Sequence, residues 1–169
     1  SSLINAGIIP RLNSGLPAQA GRNWAICKFR PGISPIENMC HSLTNKGTMY
    51  LNKKAKSTDF DEYMENIENK SALGLIDIYN NSEISEKKNL LVIIDQIEDL
   101  FLHKKFFDNE NSDDDNLLID IIYKSVKSKG SAIYFIINVQ TPFLSNLNVY
   151  GKFSELLSSS QYVLPNINF

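Results

Sequence analysis

The sequence predicts an α/β domain built around a parallel sheet. Two apolar runs carry this prediction, NLLVIID at residues 89–95 and SAIYFIIN at residues 131–138. Neither run alternates with polar residues, which is typical of parallel strands that are buried on both faces. Residues 114–129 lie between the runs and place their apolar side chains on one helical face, as a crossover helix requires. Hydrophobic residues make up 43% of the 169 positions, which is enough for a substantial core.

The first part of the chain predicts a helix, a strand and a second helix. Residues 3–13 form an amphipathic helix that bends or ends at Pro10. WAICKFR, residues 24–30, reads as a strand that is closed by Pro31 and Gly32. Pro35 suits the first turn of a helix that we expect to continue to about residue 46.

The remaining segments are predicted to be mainly helical. FDEYMENIENK and ALGLIDIYNN have helical patterns, with a break at residues 70–71. The acidic stretch at residues 106–115 is expected to be a loop. A helix is expected from Pro142 to about residue 157, and QYVLP, residues 161–165, is expected to be a last short strand.

Composition excludes several classes of function. The net charge is -2 and the pI is about 5.7, which argues against a nucleic-acid-binding surface made by bulk charge. No apolar run approaches the roughly 20 residues of a membrane span, and no basic-then-apolar signal pattern opens the sequence. The only cysteines, Cys27 and Cys40, are expected to be buried thiols in a reducing compartment, which indicates a cytoplasmic protein.

Asp95 is the residue most indicative of chemistry, because it follows the apolar run LLVII. It is expected at the carboxyl end of a parallel strand, the edge where ligands bind in open α/β sheets. An acid in this position fits the Walker B pattern, which holds Mg²⁺ on a nucleoside triphosphate. Glu98 and Asp99 follow closely and could orient or activate an attacking water. The alternative is a capping box, in which Asp95 and Glu98 satisfy the first N–H groups of a helix.

The opening residues, SSLINAGIIPRL, bear on this choice. A P-loop reads G-x-x-x-x-G-K-[ST] and leads directly into a helix. If Gly-Lys preceded this chain, Ser1 would supply the Mg²⁺-binding hydroxyl and Ser2 would lie near the phosphates, at the positive end of the helix. The alternative is that the two serines are a helix cap or a cloning scar.

Four blocks of the sequence resemble the novel STAND NTPases, which are signal-transduction ATPases with numerous domains, found mostly in bacteria. The blocks are the opening SSLINAGIIPRL, the strand and turn WAICKFRPGISPIENM, the Walker B segment LLVIIDQIEDLF, and TPFLSNLNVYGKFSELLSSSQYVLP. Family members typically read GKSSL-x-x-AGL-x-P-x-L, then a strand ending in RPG, then DQFEELF. The resemblance spans nearly the whole chain.

The resemblance implies a three-layer fold of the P-loop NTPase (AAA+/STAND-like) type over residues 1–169. The P-loop helix would be residues 1–14, the Walker B strand residues 90–95 and a sensor-like strand residues 131–140. The implied magnesium ligands are Ser1 and Asp95, and the implied catalytic acids are Glu98 and Asp99. The implied nucleotide-binding residues are Ser1, Ser2, Asp95, Gln96 and Gln140.

Two positions depart from the family pattern. The family's strand-end arginine is Gln140 here, and the acid two residues later is Pro142. Glutamine supplies no positive charge to a transferring phosphate, so slow hydrolysis or simple nucleotide binding is expected. We expect Arg30 of the RPG turn to anchor that turn.

The resemblance also implies that the chain is cut at both ends. The strand and P-loop lysine that precede Ser1 in the family are not in this sequence, and neither is the helical lid beyond residue 169. Losing a central strand would leave backbone groups of its neighbours unpaired. ATPase activity is therefore expected of the complete protein rather than of this chain alone.

The function implied is an ATP/Mg²⁺-dependent switch in a bacterial signalling or defence protein. Such a module self-associates through the NTPase domain and passes a signal between sensor and effector domains outside this chain. The alternative is a non-catalytic interaction scaffold with an eroded NTPase site. The third interpretation is an unrelated flavodoxin-like or receiver-like α/β domain, in which Asp95 would be a phospho-acceptor or a helix cap. A receiver needs an acidic pair at the end of its first strand, and no such strand is present in this sequence.

Overall fold

A three-stranded parallel sheet forms the centre of the structure, a computed structural model that describes residues 2–15, 23–51, 56, 58–106, 112–148, 150–160 and 162. The strands are β1 (Trp24–Phe29), β2 (Asn89–Ile94) and β3 (Ile133–Ile137), in the order β1-β2-β3. The predicted α/β class with a parallel sheet is therefore confirmed. Each strand is slightly shorter than its apolar run predicted, so Arg30 and Asn138 lie just beyond strand ends.

The middle strand β2 is buried on both faces. Leu90, Val92 and Ile94 belong to the larger hydrophobic core, whereas Leu91 and Ile93 belong to a smaller cluster on the opposite face. This division follows from the twofold alternation of side chains along a strand. It explains why β2 is apolar at every position from 90 to 94.

Helices cover both faces of the sheet and give it three layers. The smaller cluster is completed by Ile4 and Leu12 from the N-terminal helix, and the larger core includes residues of the helices that follow β1 and β2. The helices are α1 (Ile9–Asn13), α2 (Pro35–Leu43), α3 (Asp59–Lys70), α4 (Gly74–Asn80), α5 (Asp99–Phe106), α6 (Ser112–Lys127), α7 (Leu144–Leu147) and α8 (Gly151–Ser160). In the parts of the chain that the structure describes, no helix has the length and hydropathy to span a membrane.

Pro10 does not end the N-terminal helix, which continues through it to Asn13. A π-helical turn, Ile4–Ile8, precedes α1, and Pro10 lies in the first turn of the α-helix. Ile9 N donates to Ile4 O, so the wider π-helical hydrogen bonding lies directly before the proline that lacks a donor. Ile4 and Leu12 are buried against the sheet, whereas Leu3 is 51% exposed.

Two segments differ from their predicted boundaries. The acidic stretch was expected to be a loop to residue 115, but α6 already begins at Ser112 and includes Asp113–Asp115 in its first turn. Acidic side chains stabilise a helix N-terminus, so the acids favour the earlier start.

The single helix expected after Pro142 is instead a 3₁₀ turn, Thr141–Phe143, followed by α7 and α8. The strand expected at residues 161–165 lies largely outside the described residues.

Both cysteines are buried, as predicted. The side chains of Cys27 and Cys40 are fully buried, and burial raises the pKa of each thiol from 9.0 to about 12. The neutral thiol is the form that the fold favours. The stabilisation that comes from these raised pKa values is therefore complete below pH 9 and is lost as the pH rises toward 12.

We expect the native protein to react with iodoacetamide at pH 8 at least about 100-fold more slowly than the urea-unfolded protein, because the thiols become accessible only on opening. Mass spectrometry of quenched samples measures both rates. Equal rates for folded and unfolded protein would contradict the burial of these side chains.

Candidate functional site

The carboxyl ends of the three strands bring together polar residues from separate parts of the sequence. The register pairs Phe29 with Ile94 and Ile94 with Ile137. The residue after each strand, namely Arg30, Asp95 and Asn138, therefore lies at the same edge of the sheet. This edge is where open parallel sheets bind ligands.

The Asp95 carboxylate is held by residues of both neighbouring strands. Asn138 Nδ2 donates to Asp95 Oδ1 at 2.9 Å, and Lys28 Nζ of β1 lies 3.9 Å from Asp95 Oδ2. Lys28 Nζ also donates to Asn5 Oδ1 at 3.0 Å, which connects the group to the N-terminal helix. Asp95 is 7% exposed, so its side chain is almost completely removed from solvent.

Backbone hydrogen bonds fix the turn that follows β2. Asp95 N donates to Phe29 O at 2.9 Å, and Ile97 N donates to Asn138 O at 3.1 Å. Between them, Gln96 has a φ of 62°, in the left-handed region that non-glycine residues rarely adopt. The segment therefore stays hydrogen-bonded to both neighbouring chains as far as Ile97, and α5 begins two residues later at Asp99.

The capping-box interpretation of Asp95 and Glu98 is wrong. A capping box needs Asp95 next to the first helical residue, whereas α5 begins at Asp99. A capping box also needs the Glu98 carboxyl group to accept the Asp95 N–H, whereas both oxygens of Glu98 are buried without a hydrogen-bond partner among the described residues, and Asp95 N donates to Phe29 O. Glu98 is only 1% exposed, so its carboxyl group has lost water without a visible replacement.

Asp99 is paired rather than available in this structure. Arg30 Nη2 lies 3.4 Å from Asp99 Oδ1 and 3.3 Å from Asp99 Oδ2. The contact links the turn after β1 to the start of α5, which agrees with an anchoring role for Arg30. Gly32 shapes that turn, since its φ of 58° is left-handed, and Asn38 Nδ2 closes the turn by donating to Pro31 O at 2.8 Å.

The other predicted site residues lie in different environments. Ser1 lies outside the described residues, and Ser2 is exposed at the start of the N-terminal helix. Gln140 is exposed two residues beyond Asn138, and Gln96 is half-buried in the turn.

Three site residues were missed by the sequence analysis: Asn5, Lys28 and Asn138. A signal existed only for Asn138, which directly follows an apolar run as Asp95 does. Lys28 and Asn5 gave no signal, because their contact depends on how the N-terminal helix packs on the sheet.

The carboxylate oxygens at this edge are suitable ligands for a hard divalent cation. Mg²⁺ binds through one or two carboxylates and takes its remaining ligands from water and phosphate. Asp95 supplies an oriented carboxylate, and the partnerless Glu98 carboxyl group lies three residues later. Across the described residues no group of three or more His, Cys, Asp or Glu side chains could hold a metal by itself. The residues present therefore fit Mg²⁺ that is bound together with a phosphate ligand.

Comparison with known proteins identifies the family. The model of the family described as Novel STAND NTPase 1 matches residues 1–168, which is almost the entire chain. Neither a curated protein nor a solved structure matches it. The parallel sheet with covering helices agrees with a P-loop NTPase-like fold. The chain therefore belongs to the Novel STAND NTPase 1 family.

Proposed function

We propose that this chain is the nucleotide-binding switch module of a bacterial STAND-type signalling or defence protein, with ATP and Mg²⁺ bound at the carboxyl edge of the sheet. The observation that carries the proposal is the Asp95 carboxylate, which ends the central strand and is held between Asn138 and Lys28. Family membership supports an NTPase module in general terms.

We assign Asp95 and Ser1 as the magnesium ligands. The Asn138 amide fixes the orientation of Asp95 by donating to Oδ1. Ser2, Gln96 and Gln140 complete the proposed nucleotide contacts. Bound Mg²⁺ supplies positive charge that stabilises the transferring phosphate.

Glu98 is our candidate for the general base. It is buried, and its carboxyl oxygens have no partner among the described residues, so it is available to accept a proton from an attacking water. Asp99 was also predicted to be catalytic, but its ion pair with Arg30 supports a positioning role, in which it fixes the start of α5 beside Glu98.

Slow turnover follows from Gln140. An arginine at this strand end would add positive charge at the transferring phosphate, which glutamine does not. A switch tolerates slow hydrolysis, because its output is a conformational state.

We further propose self-association through this module, signalling to sensor and effector domains outside this chain, and a cytoplasmic location. Family membership supports self-association, and the composition and buried thiols support the location.

The test is the Mg²⁺ dependence of nucleotide binding by the native, full-length protein. We expect D95N to weaken binding of a fluorescent ATP analogue in Mg²⁺ by about tenfold or more, because a metal ligand is lost, and to change binding in EDTA little. D120N is the matched control, since Asp120 pairs with Lys152 on the outside of the molecule.

Two results would contradict the proposal. Equal losses in Mg²⁺ and in EDTA would remove the metal role from Asp95. If the wild-type protein bound no nucleotide, the scaffold interpretation would be preferred, and partner binding should then be independent of ATP.

A further inference from the structure

We propose that Lys28 is the resident counter-cation of Asp95 and sets how much Mg²⁺ the site requires. In this proposal the ammonium group compensates the carboxylate when the metal is absent and opposes the metal when it binds. The inference rests on the proposed function, because it takes Asp95 to be the magnesium ligand.

The position of Lys28 follows from its strand. Side chains of β1 alternate, so Ala25, Cys27 and Phe29 enter the larger core while Lys28 lies on the opposite face, toward the N-terminal helix. There its side chain is 30% exposed, and Nζ lies between Asn5 Oδ1 at 3.0 Å and Asp95 Oδ2 at 3.9 Å. A strand position beside an apolar cluster thus places a positive charge next to the carboxylate.

The two oxygens of Asp95 have different neighbours. Oδ1 accepts the Asn138 amide, a neutral contact that orients the group, whereas Oδ2 faces the ammonium group of Lys28. A magnesium ion at Asp95 would therefore meet a positive charge within a few ångströms. Like charges at this separation repel, so Lys28 must lower the affinity of the site for Mg²⁺.

Arg30 does not perform this role. It is the other cation at this edge among the described residues, and its guanidinium group pairs with Asp99 at 3.3 Å. The two cations at the sheet edge therefore have different partners. Arg30 pairs with Asp99 at the start of α5, and Lys28 pairs with Asp95.

The experiment measures the half-saturating Mg²⁺ concentration for binding of a fluorescent ATP analogue to the native, full-length protein. We expect K28M to lower that concentration about fivefold, the scale of a partly exposed ion pair, with unchanged analogue binding in EDTA. K28Q is a second neutral variant and should behave as K28M does. K28R keeps the charge, and K152M removes an ion-paired lysine elsewhere, so both should stay within about twofold of wild type.

An unchanged or higher Mg²⁺ requirement in both neutral variants would overturn the proposal. So would a loss of analogue binding in EDTA, because Lys28 would then be a phosphate ligand. D95N in the same assay separates the two claims, since a wild-type Mg²⁺ dependence in D95N contradicts the proposed function whatever Lys28 does. If wild type binds no analogue, a K28M/D95N double-mutant cycle on unfolding in EDTA still decides whether the two side chains interact. Zero coupling overturns the pairing.

Discussion

Replacing Glu98 with glutamine should abolish most of the ATP hydrolysis while leaving nucleotide binding in place. The expected loss in turnover is about 10²–10⁴-fold, the usual contribution of a positioned general base. The reason is that an amide cannot accept the proton of an attacking water. Single-turnover hydrolysis by the native, full-length protein measures this effect without interference from product release.

The same substitution should raise stability by up to about 1 kcal/mol, because a carboxyl group buried without a partner costs more free energy to desolvate than an amide of the same size. Both oxygens of Glu98 are buried and have no hydrogen-bond partner among the described residues. If Glu98 serves catalysis at a cost in stability, its replacement should make the protein more stable and less active. Urea unfolding of wild type and E98Q provides the comparison.

Glu155 offers a matched control for Glu98. It is exposed and accepts hydrogen bonds from Lys127 at 2.6 Å and from Tyr123 at 3.1 Å. E155Q should keep full hydrolysis. If E98Q instead destabilised the protein and kept wild-type turnover, Glu98 would be a structural residue and the assignment of the base would be wrong.

Replacing Gly74 with alanine should destabilise the fold by about 2–3 kcal/mol, the cost of forcing an extra carbon into a packed contact. A Cβ at residue 74 would lie 2.8 Å from Ile67 Cα and 2.9 Å from Ile67 Cγ1. The first of these atoms is backbone, so α3 and α4 would have to move apart. Alanine is otherwise favoured over glycine in a helix by about 1 kcal/mol, so steric contact and helix propensity predict opposite signs.

Gly151 is the control for this effect, since it begins α8 and a Cβ there meets nothing within 4 Å. G151A should be neutral or stabilising by up to about 1 kcal/mol. Thermal unfolding should place G74A about 4–12 °C below wild type, given about 2–4 °C per kcal/mol for a chain of this size. A G74A protein as stable as wild type would contradict the close packing of α3 against α4.

The sheet could be predicted from the sequence because its signal is local. Leu90 to Ile94 are all apolar, and a strand without polar positions has to be covered on both faces. Asp95 directly follows this strand, so the prediction of the strand also placed Asp95 at the carboxyl edge of the sheet. The structure confirms the strand and its edge, and it also removes the capping-box alternative, which had the same sequence pattern.

The neighbours of Asp95 could not be predicted, because they depend on pairing between distant strands. Asn138 reaches Asp95 only because Ile137 pairs with Ile94 in the register of the sheet. Lys28 reaches it only because β1 lies on the other side of β2. No spacing within the sequence contains this information, since residue 28 lies in β1 and residues 95 and 138 directly follow β2 and β3.

The start of α6 was predicted wrongly for a different reason. The helix was predicted to begin at residue 114 within an acidic stretch that was expected to be a loop, although acids in a first turn also favour a helix N-terminus. Local composition supported both interpretations, and packing of the apolar face of α6 decides between them, since Leu118, Ile121 and Ile122 are buried in the larger core.

Isothermal titration of the native, full-length protein with ATP, in Mg²⁺ and then in EDTA, tests the central claim most directly. If Asp95 is a magnesium ligand at a nucleotide site, one ATP should bind per chain. The affinity for ATP should then be at least about tenfold higher in Mg²⁺ than in EDTA, because Asp95 would hold a metal that contributes to nucleotide binding. No binding, or the same affinity under both conditions, would contradict a magnesium–nucleotide site at the end of β2.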